Sequence, residues 1–214
     1  MSTANLIRWS GLISILAGVL YALAALLHPV GEDLASVNSP NWVPSHFVYW
    51  VSAILMQLGL VGLYARQAEK AGRLGLAGFV LAFIGTALVG SIFFLATAAI
   101  PLIAAELPLV FDQAMTPPAF IVLMLVVGFA LGYILFGIAT MRAGVLPRWA
   151  GLLLIIGVLL FMLSEAGLLE RTLSHVSVTA GDIMFGLGLA WLGYALWSEK
   201  REAKSQGVLS ASRA

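Results

Sequence analysis

Residues 62–82 read GLYARQAEKAGRLGLAGFVLA. At its centre, RQAEKAGR at 66–73 gathers three bases and one acid, while the apolar runs on either side, 45–64 and 74–100, hold no Asp, Glu, Lys or Arg. Each run is long enough, at about 1.5 Å per helical residue, to cross a hydrocarbon core about 30 Å thick. A cluster of charges cannot remain inside such a core at tolerable cost. The stretch therefore predicts two crossing helices joined by a charged connection at the membrane surface.

Working outward, four further apolar segments of crossing length lie at 7–28, 118–141, 149–167 and 180–198. Of the 214 residues, 61% are hydrophobic and 10% are charged, and the mean hydropathy is +1.03, whereas soluble domains are about 45–50% apolar. The runs lack the two-residue alternation of a membrane barrel, and helices satisfy their backbone polar groups internally. The expected fold is all-α: a six-helix transmembrane bundle over 1–198, followed by a polar, mixed-charge cytoplasmic tail at 199–214 that composition marks as disordered. The first apolar stretch exceeds the usual h-region of a cleaved signal and is expected to be retained as a helix.

Ten of the eleven Lys and Arg residues fall in connections on one side of this arrangement, with Arg171 alone opposite. By the positive-inside rule both termini face the cytoplasm, and the 29–44, 101–117 and 168–179 connections face outward. Trp9, Trp149 and Trp197 then lie near the inner interface, and Trp42 and Trp50 near the outer one. The 101–117 connection is apolar and flanked by proline, so it is expected to lie on the membrane surface or cover the mouth of the bundle.

Two phrases repeat. RWSGLISIL at 8–16 and RWAGLLLII at 148–156 match in Arg, Trp, Gly, Leu and Ile, and the even-numbered helices end alike in GLYAR, GIATMR and GYALW. The pattern suggests three tandem helical hairpins, although Trp-small-Gly is also ordinary interface grammar. Small residues at steps of four (Ser14, Gly18 and Ala22; Ala82, Thr86 and Gly90; Gly128 and Gly132) mark seams where helices can approach closely.

The chemistry is asymmetric. All three histidines, His28, His46 and His175, and seven of the ten acids lie on the outer side. His28 shares a helical face with Tyr21, and His46 shares one with Trp50 and Gln57, which makes Tyr21, His28, His46, Trp50 and Gln57 candidate lining residues of a polar outer mouth. Glu165 and Asp182 sit at a similar depth, so His28, His46, Glu165 and Asp182 form a candidate ligand set for zinc, copper or non-haem iron. The competing reading is punctuation: His28 before Pro29 ends one helix, and His46 follows Pro44-Ser45 at the start of the next. With no cysteine, disulfides, iron–sulfur ligation and thiol catalysis are excluded. No phosphate loop, G-x-S-x-G or HExxH motif is present, and the sequence names no particular cofactor.

The phrases RWSGL, LLHP, GLYARQAEKAGRLGLAGFVLA and RAGVLPRWAGLLL, across residues 7–198, resemble those of a diffuse group of uncharacterised bacterial multi-pass membrane proteins. That resemblance implies a bacterial cytoplasmic (cell) membrane and transfers no catalytic residue. The leading expectation is a non-enzymatic accessory subunit or binder of lipid or small apolar ligands. The alternative is a metal- or haem-binding membrane protein using His28 and His46 with Glu165 and Asp182. Membrane lipids and another membrane protein are the expected partners, and the net charge of +1 gives no reason to expect nucleic acid.

Overall fold

The computed structural model describes residues 3–111, 115, 119–165 and 169–211, with side chains over 5–109, 111, 115, 121–123, 125–164 and 169–198. The Glu165 side chain, the side chains of 199–211 and residues 212–214 lie outside the described residues; where composition marks the 199–214 tail as disordered, the backbone of 199–211 continues the last helix. All regular structure among the described residues is helical.

Helix α1 spans Thr3–Leu27. Its buried positions, including Ser14, Ala17, Tyr21, Ala24 and Ala25, recur at steps of three and four, which keeps them on one face. Leu16, Val19, Leu23 and Leu26 point outward, an apolar skin suited to hydrocarbon. A short helix, α2 (Leu34–Val37), follows, with Asp33 at its N-cap accepting the Ser36 N–H at 2.9 Å.

Helix α3, Trp42–Ala98, contains one non-helical residue, Gly72, at φ 59° and ψ −154°, a conformation that glycine adopts without steric penalty. The chain folds back there. Tyr64 stacks on Phe79 with ring centroids 4.5 Å apart, Gln57 Nε2 donates to the Phe83 carbonyl at 3.3 Å, and Tyr49 stacks on Phe93 at 4.6 Å. Farthest from the bend, Trp42 Nε1 donates to the Ala96 carbonyl at 2.9 Å. Partners lie farther apart in sequence the farther they are from Gly72, so α3 is two antiparallel arms, 42–71 and 73–98. The charged stretch at 66–73 is the connection that its composition predicted.

Beyond α3 come α4 (Ile100–Glu106), a 3-10 turn (Pro108–Val110), α5 (Ala119–Leu125), a π-helical turn (Val126–Leu131), α6 (Gly132–Ala143), α7 (Arg148–Glu165) and α8 (Arg171–Ala211). Among the described residues, four segments are long and apolar enough to cross a membrane: Asn5–Leu27, Trp42–Glu106, Ile121–Ala143 and Arg171–Ser198. Arg148–Ser164 is apolar but shorter, about 25 Å at helical rise. The expected 45–64 and 74–100 crossings share the second of these segments, divided at Gly72.

Each arm packs on the next in sequence, and α8 closes the ring against α1. Phe185 fills the middle, its ring 5.3 Å from Tyr21, 4.7 Å from Tyr133 and 5.6 Å from Phe129. The seams are built from small residues. Gly18 abuts Gly186, Gly59 abuts Ser14, Gly128 lies against Gly85, and Gly132 lies against Ala82, so close that a methyl group on any of these glycines would strike its neighbour. The small-residue stripes therefore form contacts within the chain, where packing rather than apolar burial drives helices together in lipid. At the end that carries the histidines, Val37, Trp42, Ala96, Ala104 and Phe111 make a second apolar cluster. The beginning of the 101–117 connection thus packs over that end of the bundle, while 112–114 and 116–118 lie outside the described residues.

Candidate metal site

His28 follows the last turn of α1, and its backbone N–H still donates to the Ala24 carbonyl at 3.0 Å. Pro29 cannot extend the helix, so the chain turns away and leaves the imidazole at the helix end. His46 opens the second turn of α3, four residues after its start at Trp42. Helices α1 and α3 are neighbours in the ring, and the two rings meet edge to face with centroids 4.8 Å apart.

The hydrogen bonds fix the tautomers. His28 Nδ1 lies 2.8 Å from the Pro29 carbonyl oxygen, and His46 Nδ1 lies 2.9 Å from that of Trp42. A carbonyl oxygen only accepts, so each Nδ1 carries its hydrogen, and in the neutral rings each Nε2 is left with a bare lone pair. Those two Nε2 atoms face one another at 3.4 Å. Neither neutral ring can donate to the other, so the geometry calls for a cation between them, either a proton or a metal. Backbone acceptors on the far nitrogen are the usual way a ligating imidazole is oriented.

A carboxylate completes the group. Glu32 Oε1 lies 3.4 Å from His28 Nε2, and one ligand atom from each of His28, Glu32 and His46 can be chosen so that all lie within 4.8 Å of one another. Zinc–nitrogen bonds of about 2.0–2.1 Å at tetrahedral angles place two donors about 3.3 Å apart, and two edges of this triangle are already near that length. The third closes if the exposed Glu32 side chain swings inward. His46 is buried at 4% exposure, with the Trp42 ring centroid 4.2 Å from its own and Phe93 at 6.3 Å. His28 lies just beyond the Asn5–Leu27 segment. Burial lowers its pKa, the Pro29 hydrogen bond opposes that shift, and His175 lowers it further, so the net effect favours the neutral, ligating form.

The other predicted residues lie elsewhere. Asp182 is buried, but its Oδ2 accepts from the Tyr49 hydroxyl at 2.6 Å, and the Tyr21 hydroxyl hydrogen-bonds the same carboxylate. Tyr49 lies between the two groups, its ring 6.2 Å from His28 and 6.5 Å from His46. Tyr21 and Asp182 thus form a neighbouring polar group rather than part of the ligand triangle. Trp50 packs on Phe47 and Phe94, and Gln57 bonds the backbone of the opposite arm of α3; neither lines the histidine pair. Glu32 is the member that sequence reasoning passed over. It stands four residues after His28, a spacing that suggests contact on a helix, but Pro29 and Gly31 break the helix and hide the pairing until the turn is seen.

Comparison with protein-family models, with curated proteins and with solved structures returns no match for this chain.

Proposed function

We propose that this chain is a multi-pass membrane protein whose α-helices cross six times, with both termini cytoplasmic, and that it binds a single divalent transition-metal ion, zinc foremost, through His28, His46 and Glu32 at its outer mouth. One observation carries the metal reading: two imidazoles, each with Nδ1 committed to a backbone carbonyl, present opposed Nε2 lone pairs 3.4 Å apart. The Gly72 fold-back supports the crossing count by making two arms of Trp42–Glu106, and the concentration of Lys and Arg at one end supports the orientation. Two nitrogens and one carboxylate oxygen leave a fourth tetrahedral position for water or another ligand. A haem ligated by both histidines fits poorly, because two axial imidazoles sit on opposite faces of the macrocycle, and these rings are already in contact. The outward Leu, Val and Ile side chains fit a lipid environment, and a membrane-protein partner would dock on that same surface.

The test is elemental analysis of tag-free protein purified in detergent, followed by zinc titration. The wild type is expected to bind one zinc per chain, and the double variant His28→Ala, His46→Ala none. Equal metal content in the two proteins would end the reading.

A further inference from the structure

We propose that Arg171 is a positioning residue for this site: it clasps the 30–33 strap and so holds Glu32 within reach of the imidazole pair. The inference rests on the metal-site reading above. His28 and His46 are supported by α1 and α3, and backbone carbonyls fix their rings. Glu32 lies in the connection between His28 and α2, so whatever ties that connection down bears on where its carboxylate sits.

Arg171 holds it from the first turn of α8. Nη1 donates to Asp33 Oδ2 at 2.8 Å, and Nη2 donates to the Val30 carbonyl at 2.7 Å. The two bonds bracket Gly31 and Glu32. Gly31 has φ 90°, and a Cβ there would lie 2.6 Å from Arg171 Nη2, so the guanidinium occupies the space where any other residue would carry its side chain. Asp33 is secured from the other side as well, because its Oδ1 accepts the Ser36 N–H at 2.9 Å and lies 2.8 Å from the Ser36 hydroxyl. The strap is thus tied at Val30 and at Asp33, and the ligand lies between the ties.

Arg171 is also the one basic residue placed against the charge asymmetry of the chain, at the end where the acids gather. The Arg171–Asp33 pair is half exposed, with side chains at 57% and 47%, and such pairs contribute little to global stability. Its effect is local: it pre-organises a ligand that would otherwise have to be ordered when the metal binds.

The experiment is zinc titration of the full-length, tag-free protein in detergent, comparing wild type with Arg171→Ala, Arg171→Lys, Glu32→Gln and the double variant Arg171→Ala, Glu32→Gln. Arg171→Ala is expected to weaken zinc binding about tenfold, the lower end of what loss of a supporting partner costs a metal site. Arg171→Lys recovers part of the loss, because an ammonium can reach Asp33 or Val30 but does not reproduce the fork. In the Glu32→Gln background the Arg171 substitution costs nothing further, because the two act as a unit. Should Arg171→Ala fail to fold, Asp33→Asn weakens one of the two ties, leaving the bond to the Val30 carbonyl, and is expected to show a smaller loss in the same direction; wild-type affinity in that variant would count against the clasp. Wild-type affinity in Arg171→Ala, or an undiminished Arg171 penalty without Glu32, would overturn the inference alone. Failure of the wild type to bind zinc would remove the metal-site reading and this inference with it.

Discussion

Replacing Gly157 by alanine adds one methyl group to the seam between α7 and α8, where there is no room for it. An ideal Cβ at Gly157 would lie 2.6 Å from the Gly181 carbonyl oxygen, 2.7 Å from Phe185 N and 2.8 Å from Phe185 Cβ, against 3.4 Å or more for ordinary contact. Two of these neighbours are backbone atoms on a helix and cannot rotate aside, so α7 and α8 must part by about 0.8 Å or more. Overpacking of this kind costs about 1–3 kcal/mol. At about 2 kcal/mol, a chain of this size should lose roughly 4–8 °C from its melting midpoint. The displaced helix also carries Asp182, one residue beyond Gly181, so its hydrogen bond with Tyr49 should loosen too. The assay is thermal unfolding in detergent micelles followed by tryptophan fluorescence, with Leu159→Ala as the control. Leu159 lies on the same helix at 51% exposure, and its truncation should stay within about 0.5 kcal/mol, as surface changes do. A Gly157→Ala protein that melts with the Leu159→Ala control would refute the close-packed seam.

Two further outcomes follow from the polar groups. Tyr49→Phe keeps the ring against Phe93 but removes the donor at 2.6 Å from the buried Asp182 carboxylate; in the same melting assay it should cost about 1–2 kcal/mol, between the modest average for hydrogen bonds in membrane bundles and the larger value for charged partners, and no measurable loss would mean that Tyr21 alone satisfies the carboxylate. For Asp33, hydrogen bonds from Ser36 first and Arg171 second hold the pKa at about 2, below the ordinary 3.8. Its folded value is depressed, so its stabilisation is fully present above about pH 3.8 and is lost as pH falls toward about 2. The Asp33 carboxyl, followed by NMR, should therefore stay ionised down to pH values below the ordinary 3.8 and take up its proton only toward about 2 in the wild type, and move back toward the ordinary value in Arg171→Ala. A wild-type Asp33 that titrates at the ordinary value would contradict the clasp.

The sequence by itself determined the helical class, the positions of the apolar runs and the reversal at 66–73, because these depend on local quantities: the length of uncharged chain, the helical rise and the cost of burying charge. It also marked Gly18, Gly128 and Gly132 as seam residues, since close approach requires small side chains whichever helix lies opposite. Which glycine meets which, and the closing of α8 onto α1, came only with the tertiary structure, because spacing along one helix says nothing about its neighbour. The same division runs through the site. The ends of the apolar runs placed His28 and His46 at one end of the bundle, but the facing of their Nε2 atoms depends on the α1–α3 contact and on which carbonyl each Nδ1 finds. Asp182 and Glu165 were candidates by depth alone; Asp182 goes to Tyr49 and Tyr21, because a buried carboxylate is held by whatever donors the adjoining helices bring within reach. Glu32 reaches His28 across a proline-glycine break, and what holds it there is an arginine on α8, about 140 residues away in sequence, where Arg171 meets Val30 and Asp33. Only a folded chain sets that distance.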